Sequence, residues 1–245
     1  MLLKVSRTLQ ALYYCLSVFS YRMSGYYIRL YKTSDYHMVR DIFARGTREH
    51  IGAAFCRSLS LPQIWIPSLV VTWLPLQITG SPLISTLAAI TILGLVWYVS
   101  RHSLTVYVDH SLEDDLLDIQ EYYLPSADRC FWVAEADGEV VGTVAAAPLL
   151  QPGGEKLMEL RRLSVIQRYR RQGIAGALCR KVMDFTRRRG YRAVVLDTAL
   201  YQTGPIILYE NMGFRRSGYC YTDAFCTRIM GLTDVRYQYD IPDQK

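Results

Sequence analysis

The sequence predicts an α/β protein interrupted by a hydrophobic insertion. Three observations carry that prediction. Strand and helix patterns alternate along the second half of the chain. A loop dense in arginine and ending in glycine, "RYRRQGIAGAL" (Arg168–Leu178), stands between one of those strands and the helix after it. No charged residue occurs from Ser58 to Ser100, in a chain where 20% of residues are charged.

In chain order, "YYIRLY" (Tyr26–Tyr31) reads as a strand. Thr33–Asp35 offers helix N-caps, and the amphipathic pattern that follows runs to Gly46. The uncharged run is two arms, "PQIWIPSLVVTWLPLQI" and "LISTLAAITILGLVWYV", joined by a break at Thr79–Pro82. Each arm is close to the low end of about 17 residues that a spanning helix needs. Trp65, Trp73, Trp97 and Tyr98 suit membrane interfaces, and Arg57 and Arg101 flank the run. Pro62, Pro67, Pro75 and Pro82 make the first arm a poor ideal helix, so a re-entrant hairpin stands beside two crossings, and a buried core hairpin is the alternative. Two crossings or a re-entrant hairpin return the chain to the side from which it left.

Beyond the insertion, Ser111 and Asp114 read as a capping box for "LEDDLLDIQEYYL", which Pro125 stops. "CFWVAEA" and "VVGTVAAAPL" form a hairpin through Asp137–Gly138. "QPGGEK" is a loop and "LMELRRLSVI" (Leu157–Ile166) a central strand. In the helix Ile174–Gly190, Ile174, Leu178, Val182 and Phe185 recur at helical spacing and Gly190 is the C-terminal stop. "YRAVVLDT" is a strand, "GPIILYENMG" a short helix, and "FRRSGYCY" and "VRYQYDI" are closing strands. The domain layout is thus an N-terminal extension (1–25), the first strand and helix (26–57), the hairpin insertion (58–100) and the remainder of the catalytic domain (101–245). In the extension, Lys4 and Arg7 precede an apolar stretch too short to span and without a small-x-small cleavage site.

The net charge of +6 suits a phosphorylated small molecule, a membrane surface or nucleic acid. Nucleic acid is not expected, because the basic residues belong to no recognisable binding module. The six cysteines (Cys15, Cys56, Cys130, Cys179, Cys220 and Cys226) form no C-x-x-C pair, and the four histidines lack ligand spacing, so reduced thiols and no metal are expected.

The arginine loop carries the chemistry. A helix N-terminus presents unpaired N–H groups and a partial positive charge, which stabilise an anion that can approach closely. Gly173 removes the nearest side chain, Ala175 and Gly176 keep the first turn slim, and Arg168, Arg170 and Arg171 add positive potential. A P-loop would need Lys-Ser/Thr after the glycine, where Ala177-Leu178 stands. A dinucleotide fold wants G-x-G-x-x-G hard against its strand, although Asp197 does end the next strand as a ribose-binding acid would. A diphosphate carrying an acyl arm along the preceding strand fits both loop and strand.

"RYRRQGIAGAL" resembles the R/Q-x-x-G-x-G/A signature of the GNAT acetyltransferases, with Arg170, Gly173 and Ala175 in the signature positions. "LRRLSV" before it and "LYENMGF" (Leu208–Phe214) after it resemble the flanking family segments. The likeness covers Tyr26–Tyr31 and Leu104–Ile241. Within the family, "LTVYVDHSLEDDLLDIQEYYL", "CFWVAEADGEVVG" and "VVLDT" look like the camello branch, which includes a membrane-bound cysteine S-conjugate N-acetyltransferase.

The resemblance implies a GNAT mixed sheet flanked by helices, a hydrophobic membrane hairpin between the first and second helices, and acetyl-CoA as co-substrate. It implies that Arg170, Arg171, Gln172, Gly173, Ile174, Ala175 and Gly176 hold the pyrophosphate, and that the main chain of Leu163, Ser164 and Val165 pairs with pantetheine. Tyr209 is the implied acid for the departing thiolate, with packing against the CoA sulfur as the alternative. Glu159 and Asp197 compete as the base for the amine. Arg161 and Arg162 alternate along the strand, so one should face the cleft and hold a substrate carboxylate.

The expected acceptor is the α-amine of a small molecule, a cysteine S-conjugate first, then a free amino acid of the aspartate type or a protein lysine. A non-catalytic CoA-binding membrane scaffold is the competing class. The first strand must pair with strands that follow the insertion, so the ends of the insertion share one face of the bilayer. Arginines at 40, 45, 48, 57 and 101 lie outside it, which expects the catalytic domain in the cytosol, and the resemblance implies the endoplasmic reticulum membrane.

Overall fold

The computed structural model describes residues 25–150, 156–220 and 225–242. The expectations for residues 1–22 and for most of the Gln151–Lys156 loop lie outside these. Contacts divide the chain into two units, one ending at Phe43 and resuming over Asp118–Arg192, the other comprising Ala44–Leu117 and the residues from Ala193 onward.

In the first unit, strands β1 (Tyr26–Leu30), β2 (Cys130–Ala136), β3 (Glu139–Leu150) and β4 (Lys156–Val165) pair in that order, all antiparallel. The β2–β3 hairpin turns where expected: Asp137 and Gly138 both take positive φ, 51° and 79°, the conformation that two-residue hairpin turns need. Ahead of the first helix, a 3-10 turn at Thr33–Asp35 places the Asp35 carboxylate to accept from the Lys32 N–H at 2.9 Å. Arg29 holds Asp35 through two hydrogen bonds of 2.6 and 2.9 Å and Glu135 through one of 2.6 Å, tying β1 to β2 and to that turn.

Helix α6 (Ile174–Arg188) covers this sheet with the stripe read from spacing. Ile174, Leu178, Val182 and Phe185 are all buried, and Trp132 meets Phe185 edge to face with ring centroids 5.2 Å apart. The helix comes so close to β3 that a Cβ on Gly142 would lie 3.2 Å from both Leu178 Cδ1 and the Ser164 carbonyl.

The second unit contains α2 (Ile51–Leu59), α3 (Pro62–Thr79) and α4 (Pro82–Glu113), together with the last turn of α1 (Tyr36–Arg48). Its strands are β5 (Ala193–Ala199), β7 (Asp234–Asp240) and β6 (Arg215–Cys220), with β7 antiparallel to both neighbours. Helices α7 (Thr203–Asn211) and α8 (Phe225–Ile229) complete it. Ala54, Val96, Leu104, Met230 and Leu232 form a core between α2, α4 and the segment after α8. The Ser58 hydroxyl donates to the Met230 carbonyl at 3.0 Å.

The insertion differs from its expected form in three ways. The first arm is a regular helix despite its prolines, with Pro62 in the first turn and Pro67 and Pro75 inside. Ser68, Thr72 and Thr79 hydroxyls bond back to carbonyls four residues earlier, at 2.6, 2.9 and 2.8 Å, so this apolar helix hides its own polar groups. The arms join at left-handed Gly80, and α4 then runs unbroken through Ser100 to Glu113. No capping box forms at Ser111, whose hydroxyl bonds to the Tyr107 carbonyl inside α4. The next helix, α5 (Ile119–Tyr123), is instead capped by Asp118, which accepts from the Glu121 N–H at 2.9 Å. The first helix also passes Gly46 and ends at Arg48.

Among the described residues, only α4 is by itself long and apolar enough to cross a membrane. The α3 arm qualifies when joined to the preceding helical segment, across a bend of 70°. From Pro82 to Leu95 no α4 residue is buried, whereas Val96, Ser100, Leu104, Val108 and Ser111 form a buried stripe below.

Candidate active site

Strand β4 leads into the site through a bulge. Ala145 is opposite Arg161 and Thr143 opposite Ser164, so two residues, Arg162 and Leu163, face one on β3. Arg162 takes φ 56°, and its carbonyl accepts from the Thr143 hydroxyl at 2.8 Å. Simple alternation of Arg161 and Arg162 therefore fails, because the extra residue re-phases the strand. Arg162 lies over the Phe43 ring at 4.9 Å. Arg161 turns to Glu159, 3.6 Å from its carboxylate, and to the Tyr122 hydroxyl at 3.5 Å. Glu159, opposite Ala147, is half-buried on the same face. Beyond the bulge, Ser164 and Val165 resume pairing with Thr143 and Gly142.

The chain then makes a 3-10 turn at Gln167–Tyr169 and two left-handed steps, Arg171 at φ 63° and Gly173 at φ 81°. Gly173 is the N-cap of α6 and has no side chain with which to cap it. Its carbonyl accepts from Ala177 at 3.0 Å, so the N–H groups of Ile174, Ala175 and Gly176 precede the first donor of the helical ladder. A Cβ built on Gly173 would meet nothing nearer than the Tyr26 hydroxyl at 4.0 Å. The space beside Gly173 at the start of α6 is therefore open, as the approach of an anion to a helix N-terminus requires.

The three arginines do not contribute alike. Arg168 pairs with Glu139 and lies over the Tyr169 ring, so its charge is largely met by its own hairpin. Arg170 donates from Nε to the Val165 carbonyl at 2.9 Å and braces the loop against the end of β4. Arg171 is exposed.

The second unit holds the other two candidates. Tyr209 is buried on α7 against Phe214 and Tyr237, at ring-centroid distances of 5.8 and 6.3 Å. Asp197 is forked by Arg236 at 2.8 and 2.7 Å. Both carboxylate oxygens are thus engaged by one guanidinium.

Two features went unread in the sequence. Tyr237 donates to Glu210 at 2.7 Å and accepts from Arg216 at 2.8 Å, fixing the turn that follows Tyr209. Burial, with the nearby Asp197 charge, pushes the Asp234 carboxyl up to about 6. Both depend on pairing across β5, β6 and β7, which spacing alone does not reveal. Among the described residues, no group of three or more His, Cys, Asp or Glu is placed to hold a metal.

This geometry has relatives. The acetyltransferase (GNAT) family model matches residues 97–214. N-acetyltransferase 8 of Rattus norvegicus is 38% identical over 221 residues, covering 90% of this chain and 99% of that protein. The chain belongs to the GNAT acetyltransferases. Within them it is an N-acetyltransferase of the N-acetyltransferase 8 and camello group. The probable N-acetyltransferase camello of Xenopus tropicalis is 37% identical over 219 residues, covering 89% of this chain and 99% of that one. A GNAT acetyltransferase from Staphylococcus aureus Mu50 is similar in fold, with a TM-score of 0.53 at 15% identity over 89% of this chain and all of the other. This GNAT enzyme accordingly has the family's α/β fold, a mixed sheet flanked by helices, and GNAT acetyltransferases use acetyl-CoA.

Proposed function

We propose that this enzyme is a membrane-anchored N-acetyltransferase acting on the α-amine of a small molecule, a cysteine S-conjugate first. The observation that carries the reading is the uncapped first turn of α6 behind Gly173, open to an acyl carrier's diphosphate. Acetyl-CoA, when bound, supplies an activated acetyl thioester. The N–H groups from Gln172 to Gly176, with Arg170 and Arg171, receive its diphosphate, and the main chain of Leu163–Val165 receives pantetheine. Glu159 is the base for the amine; Asp197, already forked by Arg236, is the weaker choice. Tyr209 holds the phenolic proton for the departing sulfur. Arg161, on the face of Glu159, holds the substrate's carboxylate, while Arg162 stacks on Phe43.

The exposed apolar surface of α3 and α4 supports insertion into a bilayer. The branch resemblance supports the endoplasmic reticulum, and the arginines outside the insertion support a cytosolic face. Purified protein in detergent, given acetyl-CoA and a panel of amines, is expected to release thiol fastest with cysteine S-conjugates. Equal rates with aspartate or a lysine peptide would reassign the acceptor. Gly173→Asn, which tolerates a left-handed φ, should raise the KM for acetyl-CoA about tenfold or more by obstructing the amides. Valine there is a poorer probe, because a β-branched residue is strained at this φ. An unchanged KM in the asparagine variant would refute the diphosphate site.

A further inference from the structure

A cleft of about 560 Å³ in the second unit is lined by Arg48, Ile51, Gly52, Trp97, Arg101 and Thr105. We propose that it binds the phosphate headgroup of an anionic membrane lipid. The proposal rests on the reading that α3 and α4 enter the bilayer, and it names the lipid chemistry met there.

Four observations point to that occupant. Trp97, Arg101 and Thr105 recur every fourth residue, so they form one stripe of α4. Arg101 lies about 28 Å along the helix from Pro82 at 1.5 Å per residue, close to the ~30 Å hydrocarbon thickness of a bilayer. A hairpin with its tip at Gly80 and Ser81 therefore brings Arg101 to the opposite headgroup layer, with Trp97 one turn deeper. Trp97 is 43% exposed and packs edge to face on Phe55, with centroids 5.3 Å apart, which suits an interfacial aromatic.

The cations are available. Arg48 has only a 3.8 Å approach to Asp109, too long for a hydrogen bond. The Arg101 guanidinium has no partner among the described residues. Two guanidinium forks suit a phosphodiester, while Trp97 and Ile51 offer an apolar wall to the glycerol and upper chain. The floor is open as well: a Cβ on Gly52 would meet nothing within 4 Å.

The test uses the full chain in vesicles of phosphatidylcholine, alone or mixed with phosphatidylglycerol. The wild type should melt about 4–8 °C higher in the mixed vesicles, from about 1 kcal/mol per arginine near an anionic surface. Arg48→Gln with Arg101→Gln should lose that difference. Gly52→Leu should lose it too, by filling the cleft with both charges kept. Arg57→Gln, an exposed arginine outside the cleft, should retain most of it. A Gly52→Leu variant that responds like wild type overturns the cleft, as does a loss of equal size in Arg57→Gln. The same stabilisation by glycerol 3-phosphate in detergent assigns the site to free phosphate and overturns the lipid. Extraction with alkaline carbonate separates the two readings. Protein released by carbonate refutes membrane insertion and the headgroup site together. Retained protein with no lipid preference refutes the headgroup site alone.

Discussion

Helices α6 and α4 are both rich in aliphatic residues, and they use them in opposite ways. In α6 the apolar residues form one stripe, and that stripe disappears beneath the sheet. In α4 the segment from Pro82 to Leu95 is apolar all round and has no buried residue. The first pattern stabilises a fold and leaves a helix end free for chemistry. The second buries little against the fold, with Ile92 packed only partly on the core, and so supports the proposed bilayer setting. Apolar content alone would have equated them; its arrangement around the helix separates them. Chemistry should therefore fail at one and location at the other.

The largest effect that would sharpen this contrast is in rate. Tyr209→Phe should lower kcat by about 10²–10⁴-fold, the usual range for a lost acid. The variant should remain in the membrane fraction. A kcat within twofold of wild type would reduce Tyr209 to packing.

Next comes stability. Leu178→Ala in α6 should cost about 2–5 kcal/mol as a core cavity. Leu87→Ala in α4, at a site 56% exposed, should stay within about 0.5 kcal/mol for protein in detergent. Thermal melts of both variants check the pair. A large loss at Leu87 would make the arm part of a protein core and break the comparison.

Replacing Leu87 with arginine tests location directly. Placing a charge there should cost about 2.5–3.5 kcal/mol of insertion if the site is near mid-bilayer. Carbonate-resistant protein should fall while activity in detergent holds.

The smallest effect is pH-linked. Asp234 is held protonated up to about 6, mainly by burial, so its folded-state value lies above the unfolded one. Its contribution is fully present below the ordinary carboxylate value and is lost as pH rises through about 6. Asp234→Asn should be more stable than wild type at pH 7, by up to about 3 kcal/mol, and close to it near pH 4. Denaturant melts at the two pH values measure this; a variant equally destabilised at both would show that the carboxyl serves a structural contact.

Much of the fold was legible because it rests on local rules. The strands Cys130–Ala136 and Ala193–Ala199 declare themselves by composition, the Asp137–Gly138 turn by its residues, and α6 by its period. The slim, glycine-led start of α6 was legible for the same reason, since it is a matter of local residue size. What stayed hidden depends on partners distant in sequence. Ser111 and Asp114 satisfy a capping pattern, yet α4 packs through that point because Val108 and Leu104 are buried on its inner face. Gly46 does not stop α1. The fork on Asp197 needs Arg236, which lies 39 residues away, and the bulge at Arg162 needs the register of β3.

That bulge makes the length of β4 matter as much as its composition. Exchanging Arg162 for another residue tolerant of left-handed backbone leaves the count intact. Deleting it would put Leu163 opposite Val144 and leave Ser164 and Val165 with their present partners, so the left-handed step and the local bend would go together. The strand should thus accept spelling changes at this position, whereas a missing letter straightens it.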